Sequence, residues 1–261
     1  MHILITGASS GIGEALVHEM AKLPHAQLTL VSRRQDVLDD LAQSLSVDAQ
    51  GVAADLSDVT AVQPLLDAAT ASFGPIDVLV NNAGAQVIGH TDTLDLDACE
   101  RSLAVNLTVP LRLIHAVLPH MRSARSGGII NVSSMAAIAP TPGMTWYNAS
   151  KAGIASASEA LASELSGTGI RILTVYPGVV RTPMMDAGIQ HYKMTAMLKN
   201  QPVLEPEDVA RDIVTAFNKG KRRLVRPRLF GLFRWMQPLM LMAMDKMAPQ
   251  LQAAPPGSSE L

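Results

Sequence analysis

Seven short apolar runs, at 3–6, 28–31, 51–54, 76–80, 129–132, 172–176 and 224–226, are separated by stretches with helical periodicity. Ile12, Ala15, Leu16 and Met20 recur at helical spacing, and so do Val62, Leu65, Leu66, Ala69 and Phe73. Most of the runs are apolar at successive residues rather than at alternate ones. Strands of that kind are buried on both faces, which requires a parallel sheet with helices packed on either side. The expected fold is therefore α/β, a doubly wound parallel sheet of about seven strands. The 261 residues suit one such domain rather than two.

Composition removes several classes of function. Twenty-one Lys and Arg against 23 Asp and Glu give a net charge of −2, so no global field draws the chain to nucleic acid. Cys99 is the single cysteine, and no Cys/His spacing suits zinc, so neither an internal disulfide nor a metal site is expected. Met1-His2-Ile3-Leu4-Ile5-Thr6 leads straight into Gly7, leaving no room for a secretory leader. The expected location is the cytoplasm.

Thr6-Gly7-Ala8-Ser9-Ser10-Gly11-Ile12-Gly13 joins the first strand to the first helix. In that position glycines let the backbone turn tightly and approach a pyrophosphate, whose charge meets the free N–H groups of the helix N-terminus. Gly7, Ser9, Ser10, Gly11, Ile12 and Gly13 are thus candidate dinucleotide contacts; a tight β–α turn shaped by sterics alone is the competing account. After the second strand comes Ser32-Arg33-Arg34, with no acid before Asp36. An acid there would suit the ribose hydroxyl of NAD, whereas a guanidinium suits the 2′-phosphate of NADP. Arg33 is assigned to that phosphate: NADP(H) is preferred and NAD(H) is the second cofactor. Two solvated loop arginines are the alternative.

Tyr147 and Lys151 lie four residues apart at the start of a helical pattern through Ile154, Ala157, Leu161 and Leu165, and so share a helix face. A neighbouring ammonium stabilises phenolate, so Lys151 is expected to lower the tyrosine pKa toward working pH. Ser134 follows the strand at 129–132, where a hydroxyl reaches the crevice of an open α/β sheet. Each of the three, alone, could equally be a core, solvated or turn residue.

With the glycine loop, these residues resemble the classical short-chain dehydrogenase/reductase family, over about residues 1–227. The resemblance includes Asn81-Asn82-Ala83-Gly84, Asn106, Tyr147-Asn148-Ala149-Ser150-Lys151, and Pro177-Gly178 followed by Thr182. It implies a Rossmann-type fold and a Ser-Tyr-Lys mechanism without metal. In that mechanism Tyr147 exchanges a proton with the substrate oxygen and Ser134 orients that oxygen. Lys151 lowers the tyrosine pKa and binds the nicotinamide ribose, while Asn106 holds a relay water. The resemblance also makes Asp55 and Leu56 the adenine contact and Ala83 and Gly84 the cleft lining. Pro177, Gly178, Val180 and Thr182 become the nicotinamide pocket, and Asn82 a partly structural pin between strands.

The segments 135–146 and 184–204 should build the substrate pocket, the second as a lid. Met135, Ile138, Met144, Trp146, Met184, Met185, Met194, Met197 and Leu198 give them an apolar lining, which favours a small hydrophobic carbonyl or alcohol; methionines packing the lid onto its own domain explain them too. His191 and Tyr192 are the polar residues there. The catalytic domain spans 1–228, an amphipathic apolar extension 229–252 and a frayed tail 253–261. Lys219, Lys221, Arg222, Arg223, Arg226 and Arg228 precede the extension. That pattern suits peripheral contact with the inner membrane face, and equally a helix covering the cleft or a partner subunit. Small and apolar residues at Ala152, Ala155, Ala157, Leu161, Ala162 and Leu165 suggest a homodimer or homotetramer. Two alternatives to a carbonyl reductase stay open: a peripheral-membrane reductase of a long-chain lipid ketone, and an NADPH-sensing regulatory protein without turnover.

Overall fold

The computed structural model describes residues 1–191 and 202–227. All seven expected strands are present: β1 (His2–Thr6), β2 (Gln27–Ser32), β3 (Ala49–Ala53), β4 (Val78–Asn81), β5 (Gly127–Val132), β6 (Ile170–Pro177) and β7 (Arg223–Arg226). They form one parallel sheet in the order β3-β2-β1-β4-β5-β6-β7. Between them run α1 (Gly11–Met20), α2 (Gln35–Ser44), α3 (Val62–Phe73), α4 (Leu96–Leu103), α5 (Val109–Ala124), α6 (Thr145–Glu164), α7 (Pro183–Ile189) and α8 (Pro206–Asn218).

The two apolar faces of the inner strands feed two separate cores. Ile3, Ile5, Val78, Val80, Ile130, Leu173 and Val175 face α1, α2 and α8, meeting Leu16, Met20, Leu38, Val209 and Ile213. Leu4, Leu79, Ile129 and Ile172 point the opposite way, toward α3, α5 and α6, meeting Leu65, Ala69, Leu113, Val117 and Ile154. Burial on both sides explains why these strands read as unbroken apolar runs.

Strand order reverses beside β1, which pairs with β2 on one side and β4 on the other. The chain leaves these strands in opposite directions, opening a crevice at their carboxyl ends. The β1–α1 loop and the segment after β4 border it. Between α4 and α5 the helix widens into a π turn, Ala104–Thr108, which carries Asn106 inward.

Tyr192, Met194, Met197 and Leu198 of the expected lid lie outside the described residues, as do Arg228, the extension 229–252 and the tail 253–261. Leu204, the last residue of the expected lid, meets the segment that precedes the lid. Val180 bridges Leu204, Arg181 N–H donates to the Leu204 carbonyl at 2.9 Å, and Leu204 N–H donates to the Val179 carbonyl at 2.9 Å.

Candidate active site

The glycine loop is closed on itself. Gly7 has φ +66°, a left-handed conformation that costs an L side chain, and a Cβ there would lie 2.8 Å from the Ala83 Cα. A Cβ on Gly13 would fall 1.9 Å from the Gly7 carbonyl oxygen, so helix α1 can begin this close to the turn only without a side chain. Asn82 donates through Nδ2 to the carbonyls of Thr6 at 3.0 Å and Gly7 at 3.2 Å. The Thr6 hydroxyl accepts N–H bonds from Asn82 and Ala83 and donates to the Val80 carbonyl. Loop, β1 and β4 are thus one hydrogen-bonded unit. The Ser10 side chain does not cap α1, which leaves its first-turn N–H groups for an anion.

Arg34, rather than the Arg33 singled out from sequence, reaches the loop: its Nη2 donates to the Ser9 carbonyl and to Ser9 Oγ, both at 3.0 Å. Arg33 is exposed beside it. The doublet Arg33-Arg34 was the available signal, but which arginine turns back depends on how β2 ends against the loop. Leu56 is buried, and the Asp55 carboxylate accepts from the N–H and hydroxyl of Ser57. On the far side of the crevice, Pro177 ends β6, Val180 is buried, and the Thr182 methyl lies 2.7 Å from where a Cβ on Gly11 would be. Thr182 Oγ1 also caps α7 by accepting the Met185 N–H.

Ser134, Tyr147 and Lys151 come together past the end of β5. Ser134 caps a single 3-10 turn, Met135–Ala137, accepting the Ala136 N–H at 3.1 Å. The Tyr147 phenol is close enough to the Ser134 side chain to feel its stabilising influence. Lys151 Nζ lies 5.8 Å from the centre of the Tyr147 ring and donates to the Val132 carbonyl at 3.0 Å. Tyr147 and Lys151 are 8% and 4% exposed, so desolvation sets their titration. It brings Lys151 down to about 8. The expectation that Lys151 lowers the Tyr147 pKa gives way to the opposite direction: burial raises the phenol above its ordinary value, and Ser134 only partly opposes this. The ammonium, itself desolvated, is held at a carbonyl instead of at the phenol oxygen.

Asn106 is buried, and both the oxygen and the nitrogen of its amide are hydrogen-bonded. Oδ1 accepts the Ala85 N–H at 2.9 Å, and Nδ2 donates to the Ala85 carbonyl at 2.7 Å and to Ser150 Oγ at 3.1 Å. The side chain therefore fastens the segment after β4 to α6. Sequence reasoning missed two more anchors of α6. Ser133 Oγ donates to the Lys151 carbonyl at 2.7 Å, and Asn131 Nδ2 donates to Ser158 Oγ at 2.8 Å. Asn131 also accepts from Asn81 Nδ2 at 2.8 Å, its register partner on β4.

Of the basic residues ahead of the extension, Arg223 is ion-paired with Glu159, and Arg226 with Asp212 at 2.7 Å, whereas Lys219, Lys221 and Arg222 are exposed. Of the small and apolar residues proposed for a subunit contact, Ala155 and Ala162 on α6 and Leu165 just past its end are buried in the chain's own core.

Comparison with known proteins gives a consistent answer. The family model for short chain dehydrogenase matches residues 1–193. An NADP-dependent 3-hydroxy acid dehydrogenase of Schizosaccharomyces pombe is 33% identical over 235 residues, 87% of this chain and 90% of that protein. An uncharacterised oxidoreductase of Staphylococcus epidermidis is 34% identical over 183 residues, covering 70% and 79% of the two chains. Among solved structures, a short-chain dehydrogenase from Sphingobium yanoikuyae in complex with NADPH superposes with a TM-score of 0.79 at 28% identity, covering 97% of this chain and 98% of the other. The chain belongs to the classical short-chain dehydrogenase/reductase family.

Proposed function

We propose that the protein is an NADP(H)-preferring oxidoreductase that reduces a hydrophobic carbonyl, or oxidises the corresponding alcohol, through Tyr147, Ser134 and Lys151 with Asn106 in support. One observation carries the reading. Lys151 Nζ, 5.8 Å from the centre of the Tyr147 ring, lies 3.5 Å from the point where a Cβ on Gly84 would be. The proton-handling groups therefore sit on the rim of the crevice bordered by the glycine loop.

A dinucleotide fits that crevice by the close approach that Gly7 and Gly13 permit, by the uncapped N-terminus of α1 and by the two arginines at the end of β2. The guanidinium groups favour a 2′-phosphate, and the NADPH complex of the Sphingobium relative supports the same preference. When bound, the nicotinamide supplies the hydride. The rest is done by the chain. Tyr147 gives its proton to the substrate oxygen during reduction and takes one during oxidation, while Ser134 hydrogen-bonds the same oxygen. The Lys151 charge, present below a pH of about 8, stabilises the developing phenolate. Asn106 keeps the crevice wall at Ala85 in register with the helix that carries Tyr147. Met135, Met144 and Met184 provide the apolar, adaptable surface for the substrate body. The proposal extends to a homodimer or homotetramer, testable by sedimentation.

The test is loss of reduced-cofactor absorbance over carbonyls graded from short and polar to long and apolar, with NADPH and NADH in parallel. Turnover that rises with apolarity and favours NADPH is expected. Tight NADPH binding without turnover of any carbonyl would overturn the proposal.

A further inference from the structure

In the segment 84–88, which borders the crevice, Gln86 is the one polar side chain. Met184, in the first turn of α7, brings its methyl carbon 3.6 Å from where a Cβ on Gly84 would lie, close to Lys151. One helical turn later Gly188 crosses Gln86: a Cβ there would meet Gln86 Oε1 at 2.7 Å and an Ile88 methyl at 3.3 Å. Helix α7 therefore runs along the segment 84–88. Gln86 sits one step out from the Gly84–Lys151 contact, with its Cα within about 7 Å of that of Gly84 by chain reach.

The facing wall is the loop before Tyr147, and it is fixed in place. Gly89 N–H donates to the Gly143 carbonyl at 2.9 Å, and the hydroxyls of Thr91 and Thr145 are 2.7 Å apart. Asn148, on the first turn of α6, uses its amide to hold both backbone groups of Thr141, donating to the carbonyl at 2.8 Å and accepting the N–H at 3.3 Å. These contacts set Met144, three residues ahead of Tyr147, against Gln86, whose Nε2 donates to the Met144 sulfur at 3.6 Å.

That hydrogen bond is the informative one. A side-chain amide has strong donors, and a thioether is a weak acceptor. Gln86 is half-buried between Met144 and α7, so its donor is partly withdrawn from water without receiving a strong partner. An oxygen acceptor entering the crevice would replace sulfur with a gain in hydrogen-bond energy, and the flexible methionine can yield.

We propose that Gln86 is a specificity-determining residue whose Nε2 donates to a second oxygen of the substrate, a few bonds from the carbonyl held at Tyr147. The substrate class is then a ketone with an apolar body that carries a nearby carbonyl- or carboxyl-type acceptor, or the alcohol formed from it. This inference rests on the reductase reading above.

The test compares two ketones of matched length, ethyl 3-oxohexanoate and 4-nonanone, with NADPH as reductant. The readout is the ratio of their kcat/KM values in the wild type, Gln86→Leu and Gln86→Glu. A ratio cancels any loss the substitutions cause through the lid or through partial misfolding. The two variants remove the donor in different ways, one apolar and one retaining the oxygen, so either can carry the test if the other fails to fold. The ratio is expected to fall about tenfold in both variants. A ratio unchanged within about twofold, with both ketones still reduced, overturns the Gln86 assignment and leaves the reductase reading standing. Wild-type protein that reduces no carbonyl overturns both.

Discussion

The ammonium of Lys151 donates to the main-chain carbonyl of Val132 at 3.0 Å, so the end of β5 holds the cation that serves Tyr147. Ser133, the next residue, returns the contact by donating its hydroxyl to the Lys151 carbonyl at 2.7 Å. Strand and helix are thereby fixed to each other at the residue whose charge matters.

This arrangement predicts the pH dependence of reduction. Burial lowers Lys151 to about 8, so its charge is present below that pH and is lost above it. Burial raises Tyr147, so the phenol keeps the proton that reduction requires across the neutral range. The kcat/KM for carbonyl reduction should be level near neutrality and fall as pH rises past about 8. A profile that stays level to about pH 9.5 would contradict this role for Lys151.

The arginine pair predicts two different effects on cofactor binding. Arg33, exposed at the end of β2, is assigned to the 2′-phosphate alone, so Arg33→Ala should weaken NADPH about ten- to hundredfold and leave NADH nearly unchanged. Arg34 holds Ser9 by two hydrogen bonds, so Arg34→Ala should loosen the loop and weaken both dinucleotides. Fluorescence titration with each cofactor measures this. Equal weakening of NADPH and NADH by Arg33→Ala would remove the phosphate assignment.

Gly13→Ala should destabilise the protein as well as impair cofactor binding. The added Cβ would sit 1.9 Å from the Gly7 carbonyl oxygen, a main-chain atom that cannot swing aside. Overpacking of this kind costs about 1–3 kcal/mol, readable as a lower midpoint in urea. An unchanged midpoint would show that the loop is looser than described.

At the opposite end of the sheet, His2 predicts acid sensitivity. Its Nδ1 is 2.8 Å from the Gly74 carbonyl, which can only accept, so Nδ1 carries the proton. Nε2, 2.9 Å from the Thr29 hydroxyl, then accepts from it, and Thr29 in turn accepts from Gln50. Burial holds the imidazole below its usual pKa of about 6.5. The unfolded chain thus takes up the proton first: the stabilisation is complete above about pH 6.5 and declines as pH falls toward the folded-state value. Melting temperature between about pH 7.5 and 5 should fall more steeply in the wild type than in His2→Gln. Parallel slopes would contradict the network.

Much of this was written in the chain because both faces of the sheet are buried. Ile3, Leu4 and Ile5 supply alternate cores, yet read as one apolar run. The edge strand β3 was less legible. Its Ala49 and Gln50 are half-buried and break the apolar pattern, so the expected strand began two residues late, at Gly51. Ile76 extends the apolar run ahead of β4 because it is buried in the same core, although it precedes the strand. The site residues were legible as motifs, since their spacing on α6 is local. The contacts among them were not. Arg34 meets Ser9 only because β1 and β2 pair in parallel with Thr6 beside Val31. Gln86 meets Met144 and Gly188 only once three distant segments converge. The net shift of Tyr147 depended on burial, which no spacing reveals.

The most direct measurement compares wild type with Tyr147→Phe in reduction of an apolar ketone by NADPH, with NADPH affinity and melting temperature measured on both. The account predicts a loss of about 10³-fold or more in kcat for the variant, with the fold intact and NADPH still bound. Tyr147→Phe turning over at the wild-type rate would contradict it.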